Sequence, residues 1–144
     1  MLRLDTFLPY QLSVTSNAVS SAIARAYETL FGLRIPEWRL ITILAEADGV
    51  SQQALVARTE MDKMTVSRAA QALVARGLVT RVPHGTDKRS HALTLSGEGR
   101  ALYQQIAPKA LELEERLLNK LGEREIEQLK KTLAKLKAAS QALR

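Results

Sequence analysis

MDKMTVSRAAQALVARGLVTRVPHGTDKRSHALTLS, residues 61–96, carries a helix signal followed at once by a hairpin signal. Asp62 stands where a helix cap belongs, because a carboxylate there accepts from first-turn N–H groups that have no partner inside the helix. Val66, Ala69, Ala70, Leu73 and Val74 recur at helical spacing and make one apolar face. The helix runs to Arg76, and Gly77 follows as a left-handed stop. Residues 78–82, Leu-Val-Thr-Arg-Val, are β-branched and alternating, and predict a strand. Pro83-His84-Gly85-Thr86-Asp87 is turn-forming, and residues 91–95, His-Ala-Leu-Thr-Leu, alternate again. The stretch predicts a helix over 62–76 and a small β-hairpin over about 79–95.

Working outward, Ser51 caps a short helix with Ala54, Leu55 and Ala57, and Thr59-Glu60-Met61 turns the chain into the next one. Before it, Pro36 opens a helix whose apolar residues are Trp38, Ile41, Leu44 and Ala45, closed by Asp48-Gly49. Residues 6–31 read as a long helix with Leu8, Leu12, Val19, Ile23, Ala26 and Leu30 near helical spacing, Pro9 in its first turn and Gly32 as its stop. After the hairpin, Ser96 caps a helix carrying Leu102, Ile106, Ala110, Leu113, Leu117 and Leu118, in which Pro108 predicts a kink or break. Leu121-Gly122 interrupts, and a last helix carries Ile126, Leu129, Leu133 and Leu136. The fold class is mainly α with a small β-hairpin wing, that is, a winged helix-turn-helix plus a helical region at both ends whose apolar faces suit either dimerisation or an intramolecular bundle. No internal repeat or linker divides the chain.

The 144 residues suffice for one domain. No apolar run approaches the roughly 18 residues that span a bilayer, and no signal-peptide pattern opens the chain, so a cytoplasmic protein is expected. There is no cysteine, which excludes disulfides and thiolate chemistry. The net charge of +6 is unevenly spread: residues 1–49 sum to −1, residues 50–96 to +4 and residues 97–144 to +3. The segment with the helix pair and hairpin is therefore the most basic, which suits a polyanionic partner.

Met64, Thr65, Arg68 and Gln71 fall opposite the apolar face of helix 62–76, with small Ala72 and Ala75 between them. Such a helix fits the major groove of duplex DNA. Arg pairs bidentately with guanine, Gln with adenine, and Thr offers a hydroxyl or touches a thymine methyl, each good bidentate pair discriminating by about 1–3 kcal/mol. Thr65, Arg68 and Gln71 are the candidates for base readout, with Met64 as an apolar contact and Lys63 on a phosphate. Ser51 and Gln52, at a helix N-terminus, suit a backbone phosphate. Of the wing residues Asp87, Lys88 and Arg89, Arg89 suits the minor groove, and Asp87 is placed to hold it by a charge-assisted bond.

Asp62-Lys63-Met64-Thr65-Val66-Ser67-Arg68, Leu73-Val74-Ala75-Arg76-Gly77-Leu78-Val79 and Asp87-Lys88-Arg89 followed by Leu93-Thr94-Leu95 resemble the multiple antibiotic resistance regulator (MarR) family. The Asp-x-Arg wing is the most specific of these motifs, and the flanking helices match in order. The resemblance implies one MarR-type domain over 1–144, with dimerisation helices at 6–31 and 98–142 and a winged helix-turn-helix at 36–95. It further implies a homodimer on a pseudopalindromic operator in double-stranded DNA, usually a repressor released by a small aromatic or phenolic effector. Candidate effector contacts are Tyr10, Ser13, Asn17, Trp38 and Arg39: Trp38 to stack on an aromatic ring, Arg39 to pair a carboxylate. Trp38 equally suits the core, and Ser13, Asn17 and Arg39 equally suit solvent. With no cysteine, the effector is non-covalent.

An enzyme finds no support. His84 and His91 both lie in the hairpin, without metal-ligand spacing, and no nucleophile elbow or phosphate-binding Gly-rich loop is present. No cofactor and no metal site are expected. The remaining alternatives are a winged-helix protein-interaction module and a DNA-binding protein that needs no ligand.

Overall fold

Side chains that satisfy helix ends set the element boundaries. In a computed structural model, which describes residues 1–47, 49–84 and 87–143, with 84 and 87–90 by backbone alone, α1 covers Leu8–Phe31. It follows a separate 3-10 turn at Leu4–Thr6. Gly32 ends α1 in the left-handed region (φ 63°), which costs glycine nothing. Helix α2 (Ile35–Glu46) carries Pro36 in its first turn, and the Arg34 N–H donates to Glu37 Oε1 at 3.2 Å. Helix α3 (Gln52–Thr59) begins on Ser51, whose hydroxyl accepts from the Ala54 N–H at 3.1 Å. Helix α4 (Lys63–Ala75) begins on Asp62, whose carboxylate accepts from the Thr65 N–H at 2.8 Å.

The hairpin strands are β2 (Val79–His84) and β3 (Asp87–Leu95), longer than the alternation alone predicts. Pairing continues outward through Pro83↔His91 and, past an irregularity, to His84↔Asp87. Pro83 is tolerated because β2 is an edge strand, where a missing N–H breaks no ladder bond. A third strand, β1 (Val50–Ser51), was not expected. It pairs antiparallel with β3 through Val50↔Leu93 and Ser51↔Ala92, giving the order β1-β3-β2. Asp48, and Gly85 and Thr86 of the expected turn, lie outside the described residues.

The core of this part is Leu33, Leu40, Ile41, Leu44, Leu55, Val66, Leu73, Val79, Leu93 and Ile106, all essentially inaccessible to water. Val66, Ala69, Ala70 and Leu73 are the buried residues of α4, so its apolar face points where its periodicity predicts. Along α2 the buried set is Glu37, Leu40, Ile41 and Leu44, while Trp38 is half-buried beside it.

Contacts divide the chain into Met1–Ile106 and Ala107–Arg144. Helix α5 (Gly97–Leu118) passes from one to the other and continues through Pro108, so of the expected kink or break the break does not occur. Proline removes one N–H, but the neighbouring bonds of the ladder remain, so the loss does not end the helix. In Ala107–Arg144, α6 (Glu123–Ala142) buries no residue, and Leu111, Leu117, Leu121, Leu129 and Leu133 are exposed. At the other end of the chain, Leu8, Tyr10, Leu12 and Val14 of α1 are exposed as well. No helix among the described residues is long and apolar enough to cross a membrane.

Candidate nucleic-acid interface

Burial of one face of α4 sets what the other can do. Met64 is 63% exposed, and Lys63, Arg68 and Gln71 are exposed with it. Thr65 is half-buried and already engaged: its hydroxyl donates to Asp62 Oδ2 at 3.0 Å, while its N–H donates to Oδ1. The two bonds hold the Asp62 carboxyl below its ordinary range, the backbone N–H contributing most and the hydroxyl next. The predicted readout set is thus split. Met64, Arg68 and Gln71 present free faces, whereas Thr65 offers its methyl and the lone pairs of an oxygen whose proton is taken.

Thr65 and Arg68 also line a cleft of about 520 Å³ with Ala69, Ala72 and Arg76 of the same segment and Arg34, Pro36 and Glu37 at the start of α2. Three guanidinium-bearing residues against one carboxylate make it positive. Glu37 is buried and accepts from the Arg34 N–H, so it fixes the corner and offsets only one of the three positive charges.

The N-terminus of α3 lies against the hairpin. Arg81 Nη1 donates to Gln52 Oε1 at 2.9 Å, which leaves the Gln52 amide N–H groups as that side chain's donors. Ser51, with its lone pair on Ala54, keeps its own O–H to donate. Both remain chemically suited to a phosphate. The side chains of Asp87, Lys88 and Arg89 lie outside the described residues; the backbone places all three on β3. His91 is exposed on the same strand, and the described residues contain no group of three or more candidate metal ligands.

The predicted effector residues are distributed over α1 and α2. Tyr10, Ser13 and Asn17 are exposed along α1, and Arg39 is exposed on α2. Trp38 instead packs on Tyr27, ring centroids 4.9 Å apart and planes tilted by 50°, and the Phe31 ring lies 6.4 Å from that of Tyr27. Burial pushes the Tyr27 phenol above its ordinary range. The cleft on α4 touches none of the five.

Sequence reasoning missed Arg34, Arg76 and Arg81. Arg81 acts through a residue 29 positions away, and Arg76 through carbonyls 44 and 45 positions away. No local spacing signals such pairs.

Residues 31–90 match the model of the MarR family, covering α2, α3, α4 and most of the hairpin. The transcriptional regulator FarR of Neisseria gonorrhoeae is 30% identical over 107 residues, 74% of this chain and 73% of that protein. The chain belongs to the MarR family. This MarR-family chain superposes on a MarR/EmrR family regulator from Acinetobacter sp. ADP1 with a TM-score of 0.88 at 30% identity, covering 98% of this chain and 99% of that one. It shares the fold, at 22% identity and a TM-score of 0.81, with CouR of Rhodococcus jostii RHA1, a structure bound to p-coumaroyl-CoA and matched over 94% of this chain and 95% of that one. MarR proteins are DNA-binding transcriptional regulators of the winged helix-turn-helix type, not enzymes, and α3, α4 and the β2–β3 hairpin are that motif here.

Proposed function

We propose that this regulator is a homodimeric repressor that reads a pseudopalindromic operator through α4 and the hairpin and leaves it when a small aromatic or phenolic ligand binds. The observation that carries the DNA reading is the exposed face of α4, where Met64, Arg68 and Gln71 stand free while Val66, Ala69, Ala70 and Leu73 are buried. In this reading Arg68 and Gln71 contact base edges and Met64 a thymine methyl, while Thr65 packs its methyl at the groove wall. Lys63, Ser51 and Gln52 hold phosphates, Arg89 enters the minor groove, and Asp87 and Lys88 support it.

The dimer reading rests on the leucines that the chain leaves uncovered on α1, α5 and α6. A second copy is the partner that hides the same stripe on both sides at once. The effector reading rests on the aromatic group Trp38–Tyr27–Phe31, flanked on α2 by Arg39, with Tyr10, Ser13 and Asn17 on α1 as further contacts. The structure of CouR, a protein of the same fold bound to p-coumaroyl-CoA, supports this reading.

The test is a selection of bound fragments from the source genome, followed by titration of one recovered duplex against rising salt. Phosphate neutralisation requires the logarithm of affinity to fall linearly with the logarithm of salt. Binding that ignores salt, or that shows no preference over random duplex, refutes the DNA reading. Adding aromatic acids to the bound complex then tests release.

A further inference from the structure

The C-terminal end of the recognition helix is tied to two other elements by side chains that no DNA contact requires. Arg76 caps α4, and its guanidinium reaches the C-terminal end of α1. Nη1 donates to the Gly32 carbonyl at 3.0 Å and Nη2 to the Phe31 carbonyl at 3.3 Å. Those are end carbonyls of α1, which carry partial negative charge and lack partners in their own helix. One residue further on, the Gly77 carbonyl accepts from Ser96 Oγ at 2.6 Å, and the same oxygen accepts from the Gly99 N–H at 3.0 Å in the first turn of α5. Helix α2 packs on both α1 and α4.

We infer that Arg76 is a positioning residue that sets the angle of α4 against α1, and through it the spacing of operator half-sites the dimer accepts. The inference rests on the dimer reading above. Recognition helices of a two-fold dimer stand about 34 Å apart, so each lies roughly 17 Å from the axis. A rotation of about 10° at that radius moves a helix by about 3 Å, close to the rise of one base pair. A planar fork holding two adjacent carbonyls resists such rotation, and a single ammonium resists it less.

The experiment uses the full chain, a duplex selected by the wild-type protein from a random library, and versions with its half-sites moved by one or two base pairs in either direction. Light scattering on the wild type comes first. A dimer with one sharp spacing optimum is expected, and a monomer overturns the dimer reading and this inference together. Arg76→Met is expected to lose roughly tenfold in affinity at the optimum and less than about threefold at shifted spacings, with an unchanged salt slope. Arg76→Lys is expected to restore part of the preference. Because Arg76 is exposed, both variants are expected to fold, and their melting temperatures are compared with the wild type's. Two results overturn the inference while leaving the dimer standing. Uniform loss at every spacing with a salt slope shallower by about one per bound Arg76 makes it a phosphate contact. A spacing profile identical to wild type, whatever the melting temperature, makes it a helix cap and nothing more.

Discussion

Replacing Gly99 by alanine sets two rules against each other. Gly99 lies in the first turn of α5, and on helix propensity alone alanine there stabilises by about 1 kcal/mol. The packing says the opposite. A Cβ on Gly99 falls 2.1 Å from the Leu78 carbonyl oxygen and 3.1 Å from Leu95 Cδ2. Relief to 3.0 Å requires the turn to move by about 0.9 Å away from backbone that cannot rotate aside. The same carbonyl accepts the Ser96 N–H at 3.0 Å, and Ser96 Oγ holds the Gly77 carbonyl at 2.6 Å, so the shift stretches both. Each such bond is worth about 1 kcal/mol and the overpacking about 1–3 kcal/mol, which outweighs the propensity gain. The expected net loss is about 3 kcal/mol, or roughly 10 °C in melting temperature for a chain of this size. Gly97→Ala is the control, since nothing lies within 4 Å of its Cβ, and it is expected to be neutral or slightly stabilising. Urea unfolding at one fixed protein concentration, followed by circular dichroism, measures both. A Gly99→Ala protein as stable as Gly97→Ala would refute the reasoning.

Arg68→Ala is expected to lower affinity for a selected operator by about tenfold or more while changing random-duplex binding little, measured by fluorescence anisotropy; equal losses would make Arg68 a phosphate contact. Arg89→Ala is expected to weaken operator binding without changing the dimer mass, and an unaltered gel-shift titration would remove the wing from the interface. Asp62 has its carboxyl pKa lowered on folding, so its contribution is complete above the unfolded value near 3.9 and is lost as pH falls through the lower folded value. Wild type is therefore expected to lose more stability than Asp62→Asn over that acid range, and a difference independent of pH would count against the cap. Leu129→Asp with Leu133→Asp is expected to raise the dimer dissociation constant by at least about 100-fold in sedimentation, because burying each leucine is worth about 1.5–3 kcal/mol.

What the amino-acid order determined alone was a set of helix ends and faces whose partners lie within one helical turn. Ser51 and Asp62 cap the residues three positions on, Gly32 and Gly77 take left-handed angles, and the apolar period of α4 chose its buried side. These are local hydrogen bonds and local dihedrals, so composition and spacing suffice to find them. The exposed Met64, Arg68 and Gln71 followed from the same period. Tertiary structure decided the rest. Val50–Ser51 became a strand because β3 lay beside it, and two residues carry no period to announce that. Trp38 was turned onto Tyr27, eleven positions away in sequence. The Arg76 fork closed on carbonyls 44 and 45 residues away, and Gly99 became irreplaceable only where the Leu78 carbonyl met it. Such contacts depend on where whole elements come to rest, which is set by the burial of Leu40, Ile41, Leu55 and Leu73 together and by no residue's own neighbours in sequence.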